Sequence, residues 1–230
     1  MISRPSSIEI VSGSRLPESE FWNRSALGLS LRRLGFDGRL SPQIAFSNSR
    51  ALAEVFNARI AARHECDHLV FVHDDVWLDD YFLADRVIEA CQAYDIVGVA
   101  GNCRRVPNQP SWAFVDATFK WDDPGNLRGS VAHGAQPFGR VGYYGAIPAQ
   151  CELLDGVLLA ARKSILLSHE IRFDPRFDFH FYDVDFCRTA RDRGLTLGVW
   201  PICITHQSKG VADYQQWAGN YRLYLEKWGS

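Results

Sequence analysis

An α/β fold with a central, mostly parallel sheet flanked by helices is predicted for this 230-residue chain by three observations. Up to Asn102, segments patterned as strand, helix, strand, helix, strand follow one another, an order that calls for crossover connections and a parallel sheet. The apolar run Leu69 to Val72 suits a sheet interior, yet it ends abruptly on His73, Asp74 and Asp75. Ligands of open α/β sheets bind at such carboxyl ends of strands. Hydrophobic residues make up 47% of the chain and aromatics 13%, which at this length supports one large core and one domain over 1–230.

Ile8 to Gly13 (IEIVSG) alternates, carries β-branched residues and stops at glycine, which reads as the first strand. A helix is expected around Phe21 to Leu34, with Pro17 near its first turn and Gly35 past its end. Leu52, Val55, Phe56 and Ile60 then recur at helical spacing, behind the capping candidates Ser47, Asn48 and Ser49. That helix feeds the strand that ends at His73. A further helix is expected from Asp79 to Tyr94, with Leu83, Val87, Cys91 and Tyr94 on one face, followed by the strand DIVGVAGN.

From Cys103 to Gln150 prolines and glycines gather among aromatics (VPNQPSWAF, WDDPGN, FGRVGYYGAIP), so a long binding loop or lid is expected, anchored by Trp112 and by Tyr143 or Tyr144. LLDGVLLAARKSIL resumes order as a strand with Asp155 and Gly156 near its start. A helix from Asp183 to Arg193 stops at Gly194, LTLGVWPICITH forms a strand ending on His206, and DYQQWAGNYRLYLEKW closes the chain as an amphipathic helix. The aromatic face of that helix, Trp217, Tyr221, Tyr224 and Trp228, suits packing or interaction.

A formal charge of -2 supplies no electrostatic footprint for nucleic acid, so an anionic ligand has to be held by local features. The cysteines at 66, 91, 103, 151, 187 and 203 form no CxxC pair and read as reduced core residues of a cytoplasmic protein. MISRPSSIEIVSGSR contains no signal-peptide core, and no window reaches the roughly 20 apolar residues of a membrane span. Peripheral association with a membrane surface stays open.

Acidic or imidazole groups fall at three element ends: His73, Asp74 and Asp75; Asp183 and Asp185; and His206. Carboxylates with an imidazole suit a divalent ion such as Mg or Mn, and the lack of paired thiolates argues against structural zinc. Such an ion would neutralise a diphosphate. Each group also has a plain structural reading. Acids solvate strand-to-loop turns, strand-end histidines are often simply hydrogen-bonded, and Asp183 and Asp185 in a first turn stabilise a helix by about 0.3–1 kcal/mol.

In order along the chain, FVHDDV, LLDGVLLA, FDFHFYDVDFCRTARDRGL and WPICITHQS make the sequence resemble a GT-A-fold glycosyltransferase of the family 2 type, in a small bacterial branch, from Ile8 to the final helix. The resemblance implies a Rossmann-like nucleotide-diphospho-sugar transferase fold. Residues 8–102 would be its nucleotide-binding half, 103–150 an acceptor-side loop region, and 151–230 the acceptor and catalytic half. It further implies metal-dependent transfer of a sugar, with inversion, from a nucleoside-diphosphate sugar to a hydroxyl of a glycan, lipid-linked or small-molecule acceptor.

The triplet His73-Asp74-Asp75 matches the family's D-x-D motif, which makes Asp75 the first metal ligand and places His73 and Asp74 at the nucleotide, with Asp74 a further ligand candidate. The family's E-D pair matches Tyr182-Asp183, making Asp183 the general base. His206, followed by Gln207, Ser208 and Lys209, matches a C-terminal histidine near metal and diphosphate. Asp155 matches the catalytic region that holds the donor sugar and faces the acceptor. Ser12, Gly13, Ser14 and Arg15 would border the nucleotide, Trp112 and His180 are acceptor-side candidates, and Arg162, Lys163 and Lys209 are basic residues within reach of phosphates. His73 and Tyr182 stand where the family has acids. The same carboxylates on another α/β fold would suit a nucleotidyltransferase or phosphohydrolase, and the two departures keep open a nucleotide-sugar-binding module that has lost catalysis.

Overall fold

The computed structural model describes residues 6–207 and 214–229, so Ser208 and Lys209 lie outside the described residues. Its larger sheet contains β1 (Ile8–Gly13), β2 (Leu40–Ala45), β3 (His68–Val72), β5 (Ile96–Gly98), β9 (Ala149–Cys151), β11 (Leu158–Arg162) and β12 (Leu197–Val199), in the order β2-β1-β3-β11-β5-β12-β9. β1, β2, β3, β5 and β12 share one direction; β11 and β9 oppose them. The expected α/β class is therefore present as a mixed sheet with a largely parallel core. β2 escaped the sequence reading because LSPQIA is polar and holds Pro42. It forms the sheet's edge, where an exposed proline is tolerated.

The helix expected over 21–34 is two helices, α1 (Glu18–Arg24) and α2 (Ala26–Arg33), separated by extended Ser25. Ser25 Oγ donates to the Phe21 carbonyl (2.9 Å) and accepts from Gly28 N–H (2.8 Å), so one side chain closes the first helix and caps the second. α3 (Leu52–Ala61) begins after Ala51 without a side-chain cap. The Asn48 side chain bonds the backbone of Arg50 instead of capping the helix. α4 (Leu83–Ala93) starts later than expected: a short strand, β4 (Val76–Leu78), is followed by a turn in which Asp80 Oδ1 accepts from Phe82 N–H (2.8 Å).

A second sheet runs β10 (Leu153–Leu154), β6 (Ala100–Asn102), β7 (Leu127–His133), β13 (Ile204–His206) and β4, with β8 (Arg140–Gly145) paired to β7. The stretch 103–150 is thus not the long loop that its glycines and prolines suggested: it carries the β7–β8 hairpin and β9. The tip of that hairpin is pinned beside β13. Asp79 Oδ2 accepts from Phe138 N–H (2.9 Å) and from the Thr205 hydroxyl (2.6 Å), and Thr205 Oγ1 accepts from Gly139 N–H (2.9 Å).

DIVGVAGN, LLDGVLLA and LTLGVWPICITH, each expected as one strand, each break and pass from one sheet to the other. Apolar runs buried on both faces carry no periodicity that would mark the crossing point. In the second of them Asp155 and Gly156 lie in the turn between β10 and β11, not within a strand.

α5 (Lys163–Ser168) and α6 (Tyr182–Asp192) follow, with Gly194 past the end of α6 in the left-handed region (φ 80°) that glycine adopts without strain. α7 (Tyr214–Trp228) buries Trp217 and Tyr224 against Phe181, so its aromatic face is a packing face. All six cysteines are unpaired: Cys91, Cys151 and Cys187 are buried, Cys66 and Cys103 half-buried, and Cys203 is exposed rather than in the core. Among the described residues no helix is long and apolar enough to cross a membrane.

The docking of α7 depends on a buried charge. Lys227 Nζ lies 2.7 Å from Asp185 Oδ1 and 2.9 Å from Asp174 Oδ2, and Asp185, which also accepts from Trp228 Nε1–H (2.8 Å), is wholly buried. Lys227→Met leaves that carboxylate without its cation, and a loss of about 3–5 kcal/mol is expected in urea unfolding. A change within 1 kcal/mol, roughly that of an exposed ion pair, would mean that the pair contributes no more than a surface one.

Candidate active site

Four chain segments converge because the strands dictate it. β11 pairs antiparallel with β3, with Leu158 opposite Val72, so the Asp155–Val157 turn sits beside the end of β3, and His73 N–H donates to the Val157 carbonyl (3.3 Å). β13 pairs antiparallel with β4, with His206 opposite Val76, and Gln207 N–H donates to the Asp75 carbonyl (3.0 Å). The first turn of α6 packs on the same turn: Gly156 N–H donates to Asp183 Oδ2 (3.0 Å) and the Tyr182 hydroxyl donates to the Gly156 carbonyl (2.8 Å). A Cβ at Gly156 would collide with the Tyr182 hydroxyl and with Asp183, so only glycine permits this approach. The preceding Phe181 takes a left-handed conformation (φ 69°), held by its packing on Trp217, Tyr221 and Tyr224.

Ligand atoms of His73, Asp75 and His206 all lie within 4.8 Å of one another. His206 Nε2 approaches Asp75 Oδ1 to 3.3 Å, but this is a contact of charges without hydrogen-bond geometry, since Asp75 Oδ1 is shielded from water and has no hydrogen-bond partner. An orphaned carboxylate oxygen beside two imidazoles fits a borderline divalent ion such as manganese. Asp74 turns the other way: its Oδ2 accepts from the Ser14 hydroxyl (2.6 Å), and it is not among the grouped ligand atoms.

Electrostatics tie the cluster together. Burial pushes the Asp183 carboxyl up to about 6, and neighbouring Asp155 adds to the rise; the backbone N–H groups of Val184 and Gly156 only partly oppose it. Burial favours protonation of Asp75 too, but His206 and His73 outweigh it and hold that carboxyl below its usual range. His206 shows the converse: burial lowers its affinity for a proton, and Asp75 more than restores it, leaving the imidazole raised. Burial holds His73 neutral by lowering its titration, and raises Asp74 despite the Ser14 bond.

The other candidates are distributed around this centre. Asp155 Oδ1 accepts from Val157 N–H (2.9 Å) and its Oδ2 from Trp112 Nε1–H (2.9 Å), so Trp112 is a buried partner of Asp155. Ser12 is fully buried with its hydroxyl unpartnered, Gly13 lies against Asn48 and Leu52, and Arg15 is exposed. His180 packs edge-on against Phe179, whose ring in turn stacks on His73 (5.7 Å, 27°). Arg162 and Lys163 do not approach the centre. They sit opposite the first residue of β3, at the far end of the sheet, where Arg162 pairs with Asp95 (3.2 Å) and Lys163 Nζ donates to the carbonyls of Ala62 and His64.

One residue at the site was missed. His133, the last residue of β7, lies opposite His206 and contacts the Tyr144 hydroxyl through Nε2 (3.3 Å); burial, with a contribution from His206, lowers its titration. Tyr144 stacks with half-exposed Trp121 (6.3 Å, 20°) and meets Trp112 edge-on (5.0 Å), forming an aromatic wall beside Asp155. The signal for His133 was a strand ending on histidine, as at 73 and 206, hidden in a glycine-rich stretch.

No protein family matches the chain, and no curated protein matches it in sequence. Among solved structures, the catalytic domain of Drosophila β1,4-galactosyltransferase 7, in complex with xylobiose, is similar over 94% of this chain and 79% of that one, at a TM-score of 0.50 and 11% identity. At that identity the likeness speaks for the fold: this chain has the α/β architecture, mixed with a largely parallel core, of a GT-A transferase.

Proposed function

We propose that the chain is a metal-dependent glycosyltransferase that moves a sugar from a nucleoside-diphosphate sugar to an acceptor hydroxyl in one inverting displacement. The observation that carries this reading is the half-buried Asp183, raised to about 6, at the same sheet edge as His73, Asp75 and His206. Asp183 takes the proton of the acceptor hydroxyl as its oxygen bonds to the anomeric carbon and the bond to the diphosphate breaks. A carboxylate so placed supplies about 10²- to 10⁴-fold, and its raised affinity for a proton makes it a better base than an exposed aspartate. Asp183 keeps lone pairs for this work beyond the two backbone N–H groups it accepts from.

Asp75, His206 and His73 would hold a manganese or magnesium ion, which when bound neutralises the departing diphosphate. Asp155, fixed by Trp112 and Val157, offers its remaining lone pairs to sugar hydroxyls. Trp121 and Tyr144 offer ring faces to an acceptor, whether glycan, lipid-linked or a small molecule. Ser14, locked onto Asp74, borders the nucleotide.

The test is a calorimetric titration with UDP, GDP, dTDP, CMP and their sugars, with and without manganese. Metal-dependent binding of one nucleotide class is expected, followed by release of the nucleoside diphosphate once an acceptor is supplied. Release of pyrophosphate or phosphate would point to a nucleotidyltransferase or phosphohydrolase, and binding without turnover to a module that has lost catalysis.

A further inference from the structure

The two positions that depart from the resembling family's pattern, His73 and Tyr182, touch each other: His73 Nε2 lies 2.7 Å from the Tyr182 hydroxyl oxygen. That hydroxyl also lies 2.8 Å from the Gly156 carbonyl oxygen. A phenol has one proton, and a carbonyl can only accept. If the proton pointed at His73, two oxygens would face each other at 2.8 Å with no hydrogen between them. Only one arrangement satisfies both contacts: His73 Nε2–H donates to the tyrosine oxygen, and the tyrosine O–H donates to Gly156. A neutral ring carries one N–H, so the lone pair remains on Nδ1.

We infer that Tyr182 is a positioning residue that, relayed from the Gly156 carbonyl, fixes His73 in the Nε2–H tautomer and thereby leaves Nδ1 as its metal-ligating atom. The inference rests on the transferase reading for what the ion does, but the tautomer is a property of the metal-free protein. Other features of the site serve the same end. Gly156 has no room for a Cβ, which keeps its carbonyl tight against the hydroxyl, and Tyr182 is buried among Phe56 and Phe173, so its ring has no other place to go. A histidine with its second nitrogen hydrogen-bonded is the usual state of a ligating imidazole, the partner setting tautomer and ring orientation. The histidine that replaces an acid and the tyrosine that replaces an acid thus form one unit.

The experiment is long-range proton–nitrogen correlation spectroscopy of histidine-labelled, metal-free protein, with His73 assigned by His73→Gln, alongside manganese titrations of wild type and Tyr182→Phe. Wild type should show Nε2–H at His73. Tyr182→Phe should lose that single tautomer and bind manganese about 10- to 100-fold more weakly. Since the wild-type spectrum needs no variant, a poorly folding Tyr182→Phe does not blunt the test. Nδ1–H in wild type with normal manganese uptake would overturn the positioning claim alone, as would unchanged manganese affinity in Tyr182→Phe. Wild type that shows Nε2–H yet takes up no manganese would overturn the ligand role and the metal-dependent reading together.

Discussion

Asp183→Asn is expected to lower turnover by about 10²- to 10⁴-fold while leaving donor affinity within a few-fold, because the side chain acts on the acceptor's proton and not on the nucleotide. The amide is nearly isosteric but has no basic oxygen of comparable strength. In the wild-type protein kcat/KM should rise with pH through a limb near the carboxyl's midpoint of about 6, since only the ionised form can accept a proton. Initial rates at saturating metal, measured for both proteins across that range, check the prediction. A variant with full turnover would remove Asp183 from the chemistry and leave it as a helix-terminal acid.

The same group should write itself into the stability curve. Asp183 in the folded protein holds its proton to about 6, against 3.8 for an ordinary aspartate. Between those values the folded state binds more protons than the unfolded one, so stability falls as pH rises, by about 3 kcal/mol once both forms are ionised. Asparagine has nothing to titrate, and that decline should vanish from urea unfolding between about pH 4 and pH 7. The variant does not gain the full amount at neutral pH. The N–H groups of Val184 and Gly156 each use one carboxylate oxygen, and an amide leaves one of them without an acceptor.

What sequence could and could not announce follows from how each signal arises. The carboxyl end of β3 was legible because an apolar run stopping on His73-Asp74-Asp75 has few structural explanations, and the start of α6 because Tyr182 to Gly194 carries both helical spacing and a glycine stop. The passage of three segments between two sheets was not legible, since a strand buried on both faces looks the same before and after it breaks. The β7–β8 hairpin was hidden by glycines that read as loop, and with it went His133. Trp112 was recognisable as a loop anchor, but nothing in its neighbours announced that its indole N–H would orient Asp155 43 positions away. The His73–Tyr182 bond spans 109 positions, and each residue alone looked like a lost acid.

Asp75→Ala is expected to abolish the metal dependence of donor binding, with manganese affinity falling by at least about 10²-fold, since a ligand matters no less than the partners that orient one. The loss can be read as site chemistry because the substitution spares the fold. Asp75 holds Gln207 through its backbone carbonyl, which alanine keeps, while its Oδ1 makes no hydrogen bond to the protein. What alanine removes is the charge contact of Oδ1 with His206 (3.3 Å), a partly exposed pair worth at most about 1 kcal/mol. The wild-type metal affinity should itself climb with pH, over a range shifted above that of an ordinary imidazole and with release of a proton on binding, because Asp75 keeps His206 protonated to higher pH than a free imidazole and the ion needs it neutral. Asp75→Ala removes the group that raises His206, so any residual binding should rise at lower pH than in wild type. Calorimetry in buffers of different ionisation enthalpy reads both effects. Undiminished metal-dependent binding in Asp75→Ala would place the ion elsewhere, and pH-independent binding in wild type would exclude His206 from its coordination.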